Sequence, residues 1–225
     1  MYQEQVREQS LNFLKGTGFH PAGWLPVNRG NLQLRPTEEI VGRLFALDSI
    51  FTWVAFSESN ASSGNLKEYV EGNDLESFMS VSEKKIFRLS RNQAHEACVE
   101  TIGWKLENMW PLAWVLGFDA KPTLEAGLIS DDISNSLLYE FLPGGEATIE
   151  DFVDSVQPRT IQEVIAWEDL FFCAHNAVRS AQLGSPSVPK GFNPIVHGGV
   201  VHERRHALTW CLSPGIKWDD IDLNT

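Results

Sequence analysis

The segment His202-Glu203-Arg204-Arg205-His206 has the clearest chemical pattern in this sequence. Two histidines four residues apart lie on one face of a helix and can bind a zinc ion together, and the glutamate between them can act as a general base. A zinc hydrolase needs a further ligand. The acidic residues that follow the motif and could supply it are Asp219, Asp220 and Asp222.

Two features of the same segment weigh against zinc. A helical wheel places His202 and His206 on the solvent side, opposite an apolar face made by Val201, Leu208, Cys211 and Leu212. The two arginines within the motif would also put positive charge beside a bound cation. We therefore expect neither a metal nor a cofactor, and a zinc hydrolase that uses His202 and His206 is the least favoured interpretation.

Arg204 lies in the middle of the apolar face of its helix, which is an unusual position for a guanidinium. A charged side chain directed at a core must be paired or must reach solvent. We therefore expect Arg204 to pair with an acidic group from another part of the chain. Glu107 is the better candidate, and Asp219 and Asp220 are the alternatives.

Other ionisable residues repeat this pattern, since Glu168, His175 and Arg179 fall within the apolar face of a long helix predicted from Ile161 to about Leu183. The complete candidate cluster is Glu107, Glu168, His175, Arg179, Glu203, Arg204, Asp219 and Asp220. One interpretation is a buried ion-pair network that fixes how three helices dock. The other is a polar pocket in which pKa values are shifted. For Asp219 and Asp220, a solvated tail that caps the last helix is a further alternative.

The elements that must position these residues are helices joined by segments rich in Gly, Pro and Ser. The most apolar helix is predicted from Gln93 to Leu116, and its apolar surface on all sides places it at the centre of the fold. Thr160 and Glu163 form a capping box at the start of the long helix. Residues 19–34 are expected to be an extended loop with room for a short β element. We predict a mainly α, bundle-like array around the central helix.

Length and charge narrow the function further. The 225 residues suit one domain spanning 1–225. With 30 acidic and 18 basic residues the net charge is −12, which repels nucleic-acid backbones and anionic membranes and favours a basic protein partner. We find no signal-peptide core and no apolar stretch approaching roughly 18 residues, and the three cysteines lack framework spacing. We expect a soluble, cytoplasmic protein, and the sequence leaves its oligomeric state open.

Four segments follow one another in the order found in a known family: 34–40 with Arg43, 104–107 with 114–117, 177–181, and 203–210 with 218–220. Together they resemble domain-of-unknown-function family 4272, from about residue 10 to 225. The last segment is the most specific, and the family pattern there is Glu-Arg and Ala-Leu-x-Trp without a preceding His. Asn176 departs from the family, which tends to carry Trp at that position. The family has no assigned activity, so the resemblance implies a fold and not a reaction.

These observations favour a non-enzymatic interaction or regulatory protein, for example an acidic immunity-type inhibitor of a basic partner. The alternative is an enzyme or small-ligand binder that uses the candidate cluster. An open cavity lined by those side chains would favour the alternative, whereas a closed and fully paired network would favour a structural role.

Overall fold

The computed structural model describes residues 2–28 and 30–225, and within them the chain is mainly α, as predicted. The α-helices of this part are α1 (Tyr2–Thr17), α2 (Thr37–Ala55), α3 (Ser63–Gly72), α4 (Val81–Phe87), α5 (Arg91–Ile102), α6 (Trp104–Val115), α7 (Asp131–Ser136), α8 (Ile149–Ser155), α9 (Ile161–Gln182) and α10 (Gly198–Cys211). A π-helical turn, Leu137–Phe141, continues α7. Single 3₁₀ turns lie at Leu75–Phe78 and Trp218–Asp220.

The long helix α9 begins at the predicted capping box. The Thr160 hydroxyl accepts a hydrogen bond from the Glu163 N–H (3.3 Å), and the Glu163 carboxylate accepts one from the Thr160 N–H (2.9 Å). This reciprocal pair satisfies two backbone donors that the first turn of a helix leaves free. The capping-box prediction is confirmed, and the observed helix ends at Gln182, one residue before the expected end.

The helix predicted from Gln93 to Leu116 is not continuous, so the prediction is wrong in its length. The chain forms two helices there, α5 and α6, which meet at Gly103. Glycine is a poor helix former, and most of α5 faces solvent, so burial does not compensate for the weak position. α6 is the buried half: Trp110 is 2% exposed, whereas Trp104 at its start is 36% exposed.

Helix α6 lies between α2 and α10, while α9 packs on α1 and on α10. These contacts bury one continuous apolar cluster that extends along the chain from Leu14 to Trp218. Helix α2 is buried on nearly all sides, which places any polar residue in its middle against packed neighbours. Within the described part of the chain, no helix has the length and apolar character that crossing a bilayer requires.

The short β element allowed for near 19–34 does not form in residues 19–28 or 30–34. A strand needs a ladder of backbone bonds to one neighbouring strand. Here the bonds go to separate partners instead: the His20 N–H donates to Ser187 O (2.8 Å), and the Ala22 N–H donates to the Asn176 side chain (2.9 Å). The segment is therefore a loop fastened at individual points.

Candidate functional site

Arg204 and Glu107 form a buried ion pair between α10 and α6. The distance between Arg204 Nε and Glu107 Oε2 is 2.6 Å, and the two side chains are 1% and 0% exposed. The remaining Arg204 donors reach Thr123 O (2.7 Å) and Gly127 O (3.3 Å), and Glu107 Oε1 accepts from the Ile129 N–H (2.7 Å). The partner is thus the predicted Glu107 and not a tail aspartate. The pair fastens the 123–129 segment against both helices and presents no polar group to solvent.

A second and separate group links α10 to α9 through Arg205, which is absent from the candidate cluster. Arg205 Nη1 donates to His175 Nδ1 (2.6 Å) and to Leu223 O (2.8 Å), and its Nε lies 3.9 Å from Glu168 Oε1. Burial first, and then the positive Arg205, lower the pKa of His175 from 6.5 to about 3. Burial raises the pKa of Glu168. His175 is therefore neutral at physiological pH and accepts a hydrogen bond from Arg205.

Two further members of the candidate cluster lie outside these groups. The expectation that Arg179 points into the core is wrong: its side chain is exposed and donates to Gln182 Oε1 (2.6 Å), because a long arginine near the end of α9 can reach past the apolar face to water. Glu203 is half-buried and accepts a hydrogen bond from Asn108 Nδ2 (2.8 Å). The eight residues do not converge on one pocket.

The tail aspartates are exposed, as the alternative of a solvated tail had it, but the helix that Asp219 contacts is not the last one. Asp219 is exposed, and its Oδ2 accepts a hydrogen bond from the Val81 N–H (3.1 Å) at the first residue of α4. It thus binds the positive end of a different helix from the basic last helix that it was expected to cap. Asp220 is also exposed.

The two motif histidines are not equivalent. His202 and His206 are both half-buried, but only His206 contacts the tail, where its Nε2 lies 2.9 Å from Trp218 O. The solvent-side placement predicted for His206 is wrong in part, because the tail covers one side of it and its ring centre lies 4.3 Å from that of Trp218. Burial lowers the pKa of His206. In residues 2–28 and 30–225, no group of three or more His, Cys, Asp or Glu side chains has an arrangement that could hold a metal ion.

An ion pair as buried as Arg204–Glu107 joins α2 to α4, and the sequence reasoning did not include it. Arg43 donates to both carboxylate oxygens of Glu83 (2.6 and 2.9 Å), and Lys105 Nζ lies 2.6 Å from the same carboxylate. Burial alone would raise the pKa of Glu83, but Arg43 and Lys105 hold it well below its usual value. The available signal was Ser80 three residues before Glu83, a capping-box spacing that placed this carboxylate at a helix start.

A cleft of about 360 Å³ lies beside α2, α3 and the turn that precedes α8. Its lining residues are Asp48, Thr52, Phe56, Asn60, Ala61, Ser62, Asn65, Leu66, Tyr69, Leu138, Tyr139, Gly144, Gly145 and Glu146. The lining contains two carboxylates and no Lys, Arg or His. We call this feature the Asp48 cleft.

Asp48 is an unusual carboxylate for a half-buried position. No residue in the described part of the chain donates a hydrogen bond to it or forms an ion pair with it. Burial raises its pKa from 3.8 to about 7. The nearby carboxylate adds to the effect of burial on Tyr69 and raises the pKa of that phenol as well. The sequence signal was a single aspartate within the apolar run of α2, between Ile40 and Val54.

Comparison with known proteins identifies the family of this chain. A family model described as a domain of unknown function, DUF4272, matches residues 6–221. The chain belongs to this family. No curated protein and no solved structure matches the chain. The DUF4272 match therefore establishes membership in a family whose description names no activity.

In this DUF4272 protein, the segments that carried the resemblance contain the closed ion pairs. Lys105 and Glu107 lie in one of them, and Arg204 and Arg205 lie in another. In this chain these four side chains are engaged in contacts between helices. Asn176, where the DUF4272 pattern tends to have Trp, holds the 19–34 loop through its hydrogen bond to the Ala22 N–H. Asp48 lies outside all four segments.

Proposed function

We propose that this DUF4272 protein is a non-enzymatic interaction or regulatory protein that binds a basic partner, in the manner of an acidic immunity-type inhibitor. The observation that carries the proposal is the distribution of its charges. Of the 30 acidic residues 22 are exposed, whereas only eight of the 17 basic residues within 2–28 and 30–225 are exposed. The surface is therefore more acidic than the net charge of −12 suggests.

The arginines explain this imbalance, because many of them serve internal contacts. Seven buried or half-buried arginines of the described chain donate to main-chain carbonyl groups: Arg7, Arg35, Arg43, Arg91, Arg159, Arg204 and Arg205. Their charge is compensated inside the protein or lies beneath its surface. The exposed carboxylates therefore dominate the field that an approaching protein meets, and such a field accelerates association with a cationic surface.

Part of the exposed acid is concentrated around α3 and α8. Asn73 at the end of α3 accepts a hydrogen bond from the Ile149 N–H of α8 (2.9 Å), and Tyr69 and Phe152 both pack on Phe45. The exposed acidic residues of these two helices, with two from adjoining turns, are Glu68, Glu71, Asp74, Glu146, Glu150, Asp151 and Asp154. We call them the acidic face, and we propose it as the surface that meets the partner.

The alternative, an enzyme or small-ligand binder built on the candidate cluster, has less support. Glu107 and Arg204 are buried and paired with each other, and Arg179 is exposed. A location in the cytoplasm remains part of the proposal. It is supported by the free state of Cys98, Cys173 and Cys211.

Affinity capture from an extract of the native cells, followed by binding measurements on the purified partner, tests this function. We expect a partner with net positive charge whose association slows as salt is added. The triple variant Glu68→Lys, Glu71→Lys, Asp154→Lys should weaken binding about tenfold or more. None of these residues lies in the first turn of its helix, where a carboxylate stabilises the fold.

A matched control carries the same charge change elsewhere: Glu8→Lys, Glu100→Lys, Glu125→Lys, on α1, α5 and a loop. It should reduce the affinity much less than the acidic-face triple does. Equal losses in the two triples would contradict a localised binding face. A partner that is acidic or neutral, binding that does not respond to salt, or the absence of any specific partner would contradict the proposed function itself.

A further inference from the structure

We propose that the Asp48 cleft binds the cationic end of a lysine or arginine side chain supplied by the basic partner. This inference rests on the proposed function for the source of the cation. The cleft itself can be tested independently, with small cations and without the partner.

The first argument is the unpaired state of Asp48. The other half-buried or buried carboxylates of the described chain have partners, such as Arg204 for Glu107 and Arg43 for Glu83. A carboxylate removed from water is costly unless a cation or hydrogen-bond donors compensate it. Asp48 has neither, and it lines a cleft that an outside group can enter. A bound ammonium or guanidinium group would supply the missing compensation.

The second argument is the sign of the charges around the cleft. Asp48 and Glu146 line it, and no basic residue is part of the lining. Arg91 lies behind the lining, where its guanidinium donates to Thr52 O, Phe56 O and Ala61 O. At the start of α3 the Glu58 carboxylate accepts from the Ser63 N–H (2.8 Å), so an anion there would meet a negative charge already in place. Lys67, also on α3, lies over the Trp53 ring, 5.4 Å from its centre, and does not line the cleft. The cleft therefore selects for positive charge.

The third argument concerns shape and the remaining contacts. A volume of about 360 Å³ is at the lower end of the range for ligand sites and suits a single side chain. The Tyr69 hydroxyl makes no hydrogen bond within the described chain, so it is available beside Asp48. The rings of Phe56, Tyr69 and Tyr139 offer apolar surface for an alkyl chain and π faces for its charged end.

Binding should depend on pH, because a cation favours the ionised carboxylate. The pKa of Asp48 is about 7, so below that value the affinity should fall by about a factor of ten for each pH unit. Tyr69, Tyr139 and Glu146 are the other titratable groups that line the cleft. Burial, with the nearby Asp48 carboxylate, raises the pKa of Tyr69 further above its usual value, and Tyr139 and Glu146 are exposed to solvent.

The first experiment uses the full chain, labelled for NMR, with four probes. Nα-acetyl-lysine methylamide and Nα-acetyl-arginine methylamide carry the proposed cations, Nα-acetyl-norleucine methylamide is the neutral comparison, and inorganic phosphate tests for anion binding. We expect the two cationic probes to shift the amide signals of Tyr69 and Gly145 and to lower the pKa of the Asp48 carboxyl. Binding should be stronger at pH 8 than at pH 5.

Two variants of opposite expectation complete the test. Asp48→Asn should weaken binding of the cationic probes about tenfold or more. Asp132→Asn is the matched control, because Asp132 is an exposed carboxylate that lines a different cleft of about 360 Å³, and it should leave binding unchanged. Should Asp48→Asn fail to fold, the titration of the Asp48 carboxyl in the unaltered protein, with and without the cations, still decides the matter.

The proposal is overturned if the norleucine probe binds as well as the cations, if phosphate binds more tightly, or if Asp48→Asn binds the cations normally. It is also overturned if neither cation perturbs the cleft. Failure of the proposed function gives a different result. The cationic probes then still bind to the Asp48 cleft, but no basic partner is found. The natural ligand of the cleft would in that case be a free small amine. If a basic partner binds Asp48→Asn with unchanged affinity, the partner does not insert a side chain into the Asp48 cleft and this inference is wrong. The proposal that the partner binds the acidic face is unaffected by that result.

Discussion

Replacement of Asp48 by Asn should stabilise the protein above neutral pH, although it removes a charged group from the middle of α2. Asn keeps the size of the side chain and removes the charge that burial disfavours. In the unaltered protein the native state holds a proton on Asp48 up to pH about 7, whereas the unfolded chain releases it near pH 4. The ionised carboxylate therefore opposes folding at pH 8.

The size of the effect follows from the same two values. A rise of the pKa from 3.8 to about 7 corresponds to at most about 4 kcal/mol. Water that enters the open cleft screens the charge, so we expect Asn to raise the free energy of unfolding by about 1–3 kcal/mol at pH 8. Near pH 4 both side chains are neutral in the native state, and the difference should be close to zero. The gain should therefore grow between pH 4 and pH 7 and then stay constant.

Urea unfolding followed by tryptophan fluorescence measures this difference, with Asp119→Asn as the control for loss of one exposed carboxylate outside a helix. The reasoning is refuted if Asp48→Asn lowers the stability at pH 8. It is also refuted if the gain is the same at pH 4.5 and pH 8, because a pH-independent effect cannot come from the carboxyl proton.

Three further results are expected. Arg204→Ala and Glu107→Lys each leave a buried charge or cavity and should cost about 3–5 kcal/mol, whereas Arg204→Met with Glu107→Gln should cost less; equal and negligible losses in urea would contradict the buried pair. The His175 pKa is lowered from 6.5 to about 3, so His175 contributes stability above pH 6.5 that is lost as the pH falls, and His175→Gln should unfold with a weaker pH dependence between pH 6.5 and 4. Elemental analysis of purified protein should find no stoichiometric zinc; about one zinc per chain, lost in His206→Ala, would reverse that prediction.

Features set by neighbouring residues could be predicted from the sequence. The start of α9 depends on Thr160 and Glu163 alone, and the apolar face around Arg204 required only helical spacing. The need for an acidic partner then followed from the cost of burying a guanidinium, and Glu107 was a candidate because it bordered an apolar face. Local rules and a strong energetic penalty were sufficient in these cases.

Features that depend on the path of the chain could not be predicted in this way. His206 was assigned to solvent because the wheel of α10 cannot include the tail, which returns over it at Trp218. Arg179 was assigned to the core because a wheel ignores the length of a side chain near a helix end. The break at Gly103 required knowing that α5 is mostly exposed, so that nothing offset the poor helix former.

Asp48 was harder to recognise from the sequence than Arg204, because it has no partner within the described chain. Arg204 stood out because a charge on an apolar face demands a partner, and the fold supplies one. Asp48 lies in an equally apolar helix without a partner, so its cost is not repaid within the chain. Stability alone would favour Asn or an apolar residue at this position, whereas a cation entering the Asp48 cleft would offset the cost only in the complex. If Asp48→Asn stabilises the protein and also abolishes cation binding, then the same carboxylate both lowers stability and binds the cation.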